Sequence, residues 1–192
     1  MVRTKGYAIL KNLAGKAVRG AGDATAMLVS GKRRLDVELR RLRGEAETER
    51  LALSEMLLGG GVSACEQLLM LRLAGELCEV LECALETAIL LRGRCVREWG
   101  LFDRVRVSAA LVERLRVLVE QVGCTGERAL HTAIREYHEV SERLSALCLR
   151  SFEEGLSGTE QNGVLSLSCV LDRWRYAMSA AYASAVALNG TR

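Results

Sequence analysis

The chain of 192 residues has no proline, 4% aromatic residues and almost no net charge: 27 Lys and Arg against 24 Asp and Glu leave +3. Each shortage excludes something. Without proline, no ring removes a backbone donor or breaks a helix from within. So few aromatics argue against a β-sandwich, which draws on rings, β-branched residues and turn prolines. A charge this close to balance cannot form the concentrated basic face that nucleic-acid binding needs, so no nucleic-acid partner is expected. Long apolar runs are missing too. Tyr176 to Leu188 is uncharged, but shorter than the ~18 residues of a membrane-crossing helix. The opening Met1-Val2-Arg3-Thr4-Lys5 leads into a basic helical stretch with no apolar secretory core, so the expected location is cytoplasmic.

The seven cysteines (Cys65, Cys78, Cys83, Cys95, Cys124, Cys148 and Cys169) are odd in number and contain no C-x-x-C pair. That spacing argues against a disulfide framework, which becomes plausible only for a hyperthermophile's intracellular protein, and speaks against structural zinc. Most stand in apolar helical stretches, where a free thiol acts as a small hydrophobe.

What is present is Leu, Ala, Glu and Arg, all good helix formers, and the expected class is all-α. Glycine supplies the breaks: at Gly31, at Gly59-Gly60-Gly61, between Gly93 and Gly100, between Gly123 and Gly126, and between Gly155 and Gly163. Six segments remain, each with an apolar seam at alternating four- and three-residue spacing. The first seam, Leu10, Leu13, Ala17, Gly20, Ala24, Met27, is poor in bulk and suggests a helix that needs a partner. The others begin at Leu35, Met70, Leu101, Leu130 and Val164. Segments one and two map onto four and five at a shift of about 95 residues; segment three maps onto six at about 90. The pattern predicts two tandem three-helix bundles, 1–95 and 96–192, related by duplication and packed together.

Several carboxylates fall on or beside these seams. Glu49 occupies a seam position, Glu45 lies one turn before it, and Glu82 and Asp172 adjoin the seam leucines Leu81 and Leu171. His138 and Glu142 flank the seam at Tyr137 and Ser141. Inward carboxylates need charge compensation, and oxygen-rich clusters of this kind hold hard cations. A glutamate can equally snorkel from the seam edge to water. The basic residues Lys5, Lys11, Lys16, Arg19, Lys32, Arg33 and Arg34 read as a solvated helix face, with a weaker indication of an anionic partner.

A catalytic reading finds no support. The Glu-x-x-His pairs of di-iron bundles are absent, since Arg128 precedes His131 by three residues and Arg135 precedes His138 by three. No phosphate-cradling glycine loop and no nucleophile with a spaced base is visible. The protein is expected to be no enzyme.

The third segment carries a resemblance. Ala74-Gly75-Glu76-Leu77-Cys78-Glu79-Val80-Leu81-Glu82-Cys83-Ala84 resembles the metal-binding stretch of the PhoU-like phosphate-uptake regulators, with Glu82 at the last acid of the E/D-x-x-x-D motif and Cys78 where its first acid falls. Glu45 with Glu49 resembles the partner motif on the preceding helix. In the second half Asp172 keeps the final acid, Ser168 replaces the first, and His138-x-x-x-Glu142 is a degenerate partner. The resemblance implies a cytoplasmic, non-catalytic regulator, peripheral at the inner face of the membrane. It would contact a phosphate transporter or its sensor kinase and form homo-oligomers. The implied metal set is Glu45, Glu49, Glu82, Glu86, His138, Glu142 and Asp172, holding a divalent or iron cluster (Fe, Mn, Mg or Zn) that the incomplete motifs put in question. The alternatives are a structural helical bundle that pairs with a partner without any ligand and, after it, a carboxylate-bridged metal enzyme.

Overall fold

A computed structural model describes residues 2–30, 35–91, 101–124, 126–153 and 161–191. They form six helices and no strand: α1 (Val2–Ser30), α2 (Leu35–Leu58), α3 (Ala64–Leu91), α4 (Leu101–Glu120), α5 (Glu127–Glu153) and α6 (Gln161–Gly190). No helix among the described residues is long and apolar enough to cross a membrane. The expected breaks at Gly31 and from Gly93 to Gly100, the boundary at 95/96 and Cys95 lie outside the described residues, as do 154–160; Gly163 belongs to α6 rather than to a break.

Local chemistry sets the ends. Helix α2 starts with Asp36 and Glu38 in its first turn, where carboxylates oppose the helix dipole. It stops at three glycines, two of which (Gly60, φ +82°, and Gly61, φ +93°) adopt a left-handed backbone that other residues resist. Ser63 then caps α3, its Oγ accepting from the Glu66 N–H at 3.2 Å.

Helices α1, α2 and α3 all pack on one another. Helix α4 packs on α5 and α6, and the two sets meet through α1 against α4 and α3 against α6. The core therefore runs through α1, α3, α4 and α6, with α2 laid over α1 and α3, and α5 laid over α4. The seams point into it. Leu10, Leu13, Ala17, Ala24 and Met27 are buried, as are Val105, Ser108, Val112, Leu115 and Val119 on α4 and Val122 just after it. Leu77, Leu81, Ala84 and Ala88 on α3 and Leu167, Leu171, Trp174 and Met178 on α6 are buried as well. The side chains of Leu101 and Val164 are outside the described set.

The first seam, expected to need a partner, meets helices of its own chain: α1 packs on α2, α3 and α4, and its small residues let neighbours come close. A Cβ at Gly20 would overlap Leu81 of α3. The cysteines are less uniform than expected. All six described are free thiols, but only Cys83 and Cys148 are buried, Cys78 is half-buried, and Cys65, Cys124 and Cys169 are exposed on outer faces.

Candidate functional site

The seam-edge carboxylates meet the protein's own cations. Lys16 lies beside the α1 seam and is 8% exposed. Its Nζ reaches both Glu45 and Glu49 of α2, at 3.2 Å each. The four-residue spacing puts both carboxylates on one helix face, and an ammonium with three donors can serve both. Arg41, one turn before Glu45, pairs with Glu45 from the other side. The hydrogen bond from Lys16, reinforced by the charge of Arg41, holds the Glu45 carboxyl below its ordinary range. Glu49 Oε2 is buried and has no hydrogen-bond partner.

Helices α4 and α6 hold a second buried cation between them. Arg104 is 1% exposed. Its Nη1 donates to Ser168 Oγ at 3.0 Å and its Nη2 to Asp172 Oδ1 at 2.9 Å. Ser168 and Asp172 again stand four residues apart, on α6. The planar guanidinium fits this two-point geometry. Arg104 Nε and, one turn along α4, Ser108 Oγ are buried without partners. Both cations are thus held by a pair of positions four residues apart, on α2 for Lys16 and on the non-equivalent helix α6 for Arg104.

The remaining acids on α3 act between helices. Glu82 pairs with Arg43 of α2. Glu79 and Glu86 both hold Arg173 of α6, at 2.7 and 2.8 Å. The Cys83 thiol, near Arg173, is pushed up to about 12 by burial, with Arg173 opposing the shift. Cys78, where the family motif has its first acid, is pushed up to about 11 by burial and by the charge of Glu47; it remains a neutral thiol. Gly44 of α2 and Gly75 of α3 leave a groove of about 550 Å³ over Cys78, rimmed by Arg40, Arg43, Arg50, Glu47, Glu79 and Glu82.

On α5, His138 Nε2 and Tyr182 Oη of α6 are hydrogen-bonded at 2.8 Å. Tyr182 stacks on Tyr137 with ring centres 4.4 Å apart. This aromatic contact ties α5 to α6. Glu142, one turn after His138, is exposed.

Of the seven expected metal residues the structure brings together only Glu45 and Glu49 at a shared cation. Glu82, Glu86 and Asp172 each bind a different arginine, and His138 binds a tyrosine. Among the described residues, no three His, Cys, Asp or Glu side chains converge as a metal shell. Sequence reasoning misses the partners Lys16, Arg104 and Arg173. Lys16 and Arg104 each stand next to a seam residue, Ala17 and Val105, a signal as legible as the one that singled out Glu82 and Asp172.

A further cluster lies at the start of α1. The buried Glu66 Oε1 accepts from Arg3 Nε at 2.6 Å and from the Tyr7 hydroxyl, fixing α1 to the first turn of α3. Burial first, and then the hydrogen bond to Glu66, raise the Tyr7 pKa, against the opposing hydrogen bond from Arg3. The Tyr7 ring covers Gly123, whose φ of +82° and missing Cβ allow the contact; a Cβ there would lie 2.6 Å from the ring. No protein-family model, curated protein or solved structure matches the chain.

Proposed function

We infer that the chain is a PhoU-like, non-catalytic regulator built from two tandem three-helix bundles related by duplication, acting through protein contact. The observation that carries this reading is the pattern of helix packing. The two sets meet first helix to first helix (α1 on α4) and third helix to third helix (α3 on α6), while the second helices α2 and α5 lie outside. A duplicated unit packed on its own copy about a pseudo-two-fold axis produces this pairing of equivalent elements. The part concerning phosphate rests on the resemblance of the Ala74–Ala84 stretch, and with it the partner: a phosphate transporter or its sensor kinase, met at the inner face of the membrane.

On this reading the inner carboxylates have lost a metal cluster and kept the charge balance, with Lys16 and Arg104 taking the cation's place. Glu49 Oε2, buried and unpaired, favours a second reading in which a metal displaces Lys16 and binds at Glu45 and Glu49. Affinity capture from membranes tests the function. Recovery of a phosphate permease or its kinase supports the regulator; recovery of nothing but further copies of the chain favours a structural bundle.

A further inference from the structure

The outer face of α2 has a pattern that its role in the bundle does not use. Val37, Gly44, Leu51 and Leu58 recur every seven residues, on the side of α2 opposite its buried residues Leu39, Leu42, Ala46 and Leu53. Val37 is 68% exposed, Leu51 50% and Leu58 88%. The other exposed large apolar side chains are divided among α3, α5 and α6. A Cβ at Gly44 would meet nothing within 4 Å, so the stripe has an open notch between its aliphatic residues. The charges on this face are arranged with equal regularity. Arg41 is engaged by acids of its own helix, Glu38 and Glu45. Arg40 and Glu55, at opposite ends of the stripe, are exposed and take no such pairing among the described residues.

These positions are symmetric about the point between Glu47 and Thr48. Turned end for end, the helix sets Val37 against Leu58, Gly44 against Leu51 and Arg40 against Glu55, each pair occurring twice. A surface that complements its own antiparallel image is what a two-fold, isologous contact requires. We propose that this face of α2 is a homodimer interface, in which α2 of one copy lies antiparallel on α2 of a second copy. Leu51 of each chain fills the notch at Gly44 of the other, and two Arg40–Glu55 ion pairs set the direction and register. The occupant is a second copy rather than an unrelated helix because charge, notch and aliphatic residues all match about the same centre. The helix spans about 36 Å over its 24 residues. A single helix pair lies toward the small end of stable interfaces, whose typical size is about 800 Å² per partner, so the dimer is expected to form and dissociate with concentration.

This inference extends the contact reading but does not depend on the phosphate part of it. The test is sedimentation equilibrium of the whole chain and of two exposed-site variants, Arg40→Glu and Glu55→Arg, with circular dichroism to confirm that each is folded. The wild-type mass should double from 21.0 kDa as concentration rises. Each single variant sets like charges opposite one another twice and should weaken the dimer about tenfold or more. An equimolar mixture of the two variants restores both ion pairs and should dimerise as the wild type does. A wild type that stays monomeric, or variants that dimerise separately as well as together, would overturn the proposal. Loss of permease capture with the wild-type dimer intact would count against the regulator reading alone.

Discussion

Replacing Lys16 by methionine keeps most of the side-chain volume and removes the one cation shared by Glu45 and Glu49. Removing one partner of a fully buried ion pair costs about 3–5 kcal/mol, whereas exposed pairs are worth about 0–1 kcal/mol. Lys16 is buried and the Glu49 side chain is 28% exposed, which places the Lys16–Glu49 pair between these limits, at about 1–2 kcal/mol. For a chain of this size each kcal/mol lowers Tm by about 2–4 °C. The pH dependence identifies the cause. Glu45 is held below its ordinary value of 4.5, first by the hydrogen bond from Lys16. A depressed carboxylate adds stability that is fully present above the ordinary value and is lost as pH falls through the depressed one. Lys16→Met should therefore be less stable than wild type in urea denaturation at about pH 7, and the gap should narrow as pH falls below 4.5 and through the depressed Glu45 value. A gap that persists unchanged in acid would mean that Lys16 acts through packing alone. No gap at neutral pH would refute the pairing.

Other consequences follow from the same geometry. Asp172→Ala leaves the Arg104 guanidinium buried without its carboxylate and should cost about 3 kcal/mol in chemical denaturation; Arg104→Met/Asp172→Ala should recover part of that loss. Gly123→Ala forces a Cβ into both a left-handed backbone and the Tyr7 ring, and should cost about 1–3 kcal/mol. Shortening Tyr7 to leucine in the same chain should return the steric part, as read by Tm. Maleimide labelling at about pH 8 followed by peptide mass spectrometry should modify Cys65, Cys124 and Cys169 rapidly. Cys83 and Cys78, buried or half-buried with pKa values of about 12 and about 11, should remain unmodified until the protein unfolds.

Much of this fold is legible in the order of residues, because a helix seam is a local repeat. The three-four spacing picked out Leu77, Leu81 and Ala84 on α3 as buried, and Leu167, Leu171 and Trp174 on α6, without reference to any neighbour. Where it drifted the cause is also local: on α2 the buried residue at the C-terminal end is Leu57, while Met56, one position earlier, is half-buried. What a single helix cannot announce is the identity of its neighbours. The α1 seam is poor in bulk, and small residues such as Ala14, Ala17, Gly20 and Ala21 allow α1 to sit among α2, α3 and α4. Helix α3 is buried on a second face, at Leu73, Val80 and Thr87, because α6 covers it, and nothing in its own spacing names α6.

The candidate site divides in the same way. That Glu45 and Glu49 share one face of α2 follows from helical spacing. The cation that faces them comes from a residue some thirty positions earlier, and Lys16 reads as solvated until α1 and α2 are laid together. Asp172 likewise reads as an unpaired motif acid until Arg104 arrives from α4. The compensating side-chain charges come from other helices, and no spacing within α2 or α6 points to them.

Native mass spectrometry of the wild-type chain and of Lys16→Ala, each exposed to Mg²⁺, Mn²⁺, Fe²⁺ and Zn²⁺, tests the claim that an internal lysine holds the place of a metal. The wild type should remain without stoichiometric metal, and Lys16→Ala, with Glu45 and Glu49 freed, should acquire one cation per chain. A wild-type chain that binds metal stoichiometrically and loses it in Glu49→Ala would contradict the account.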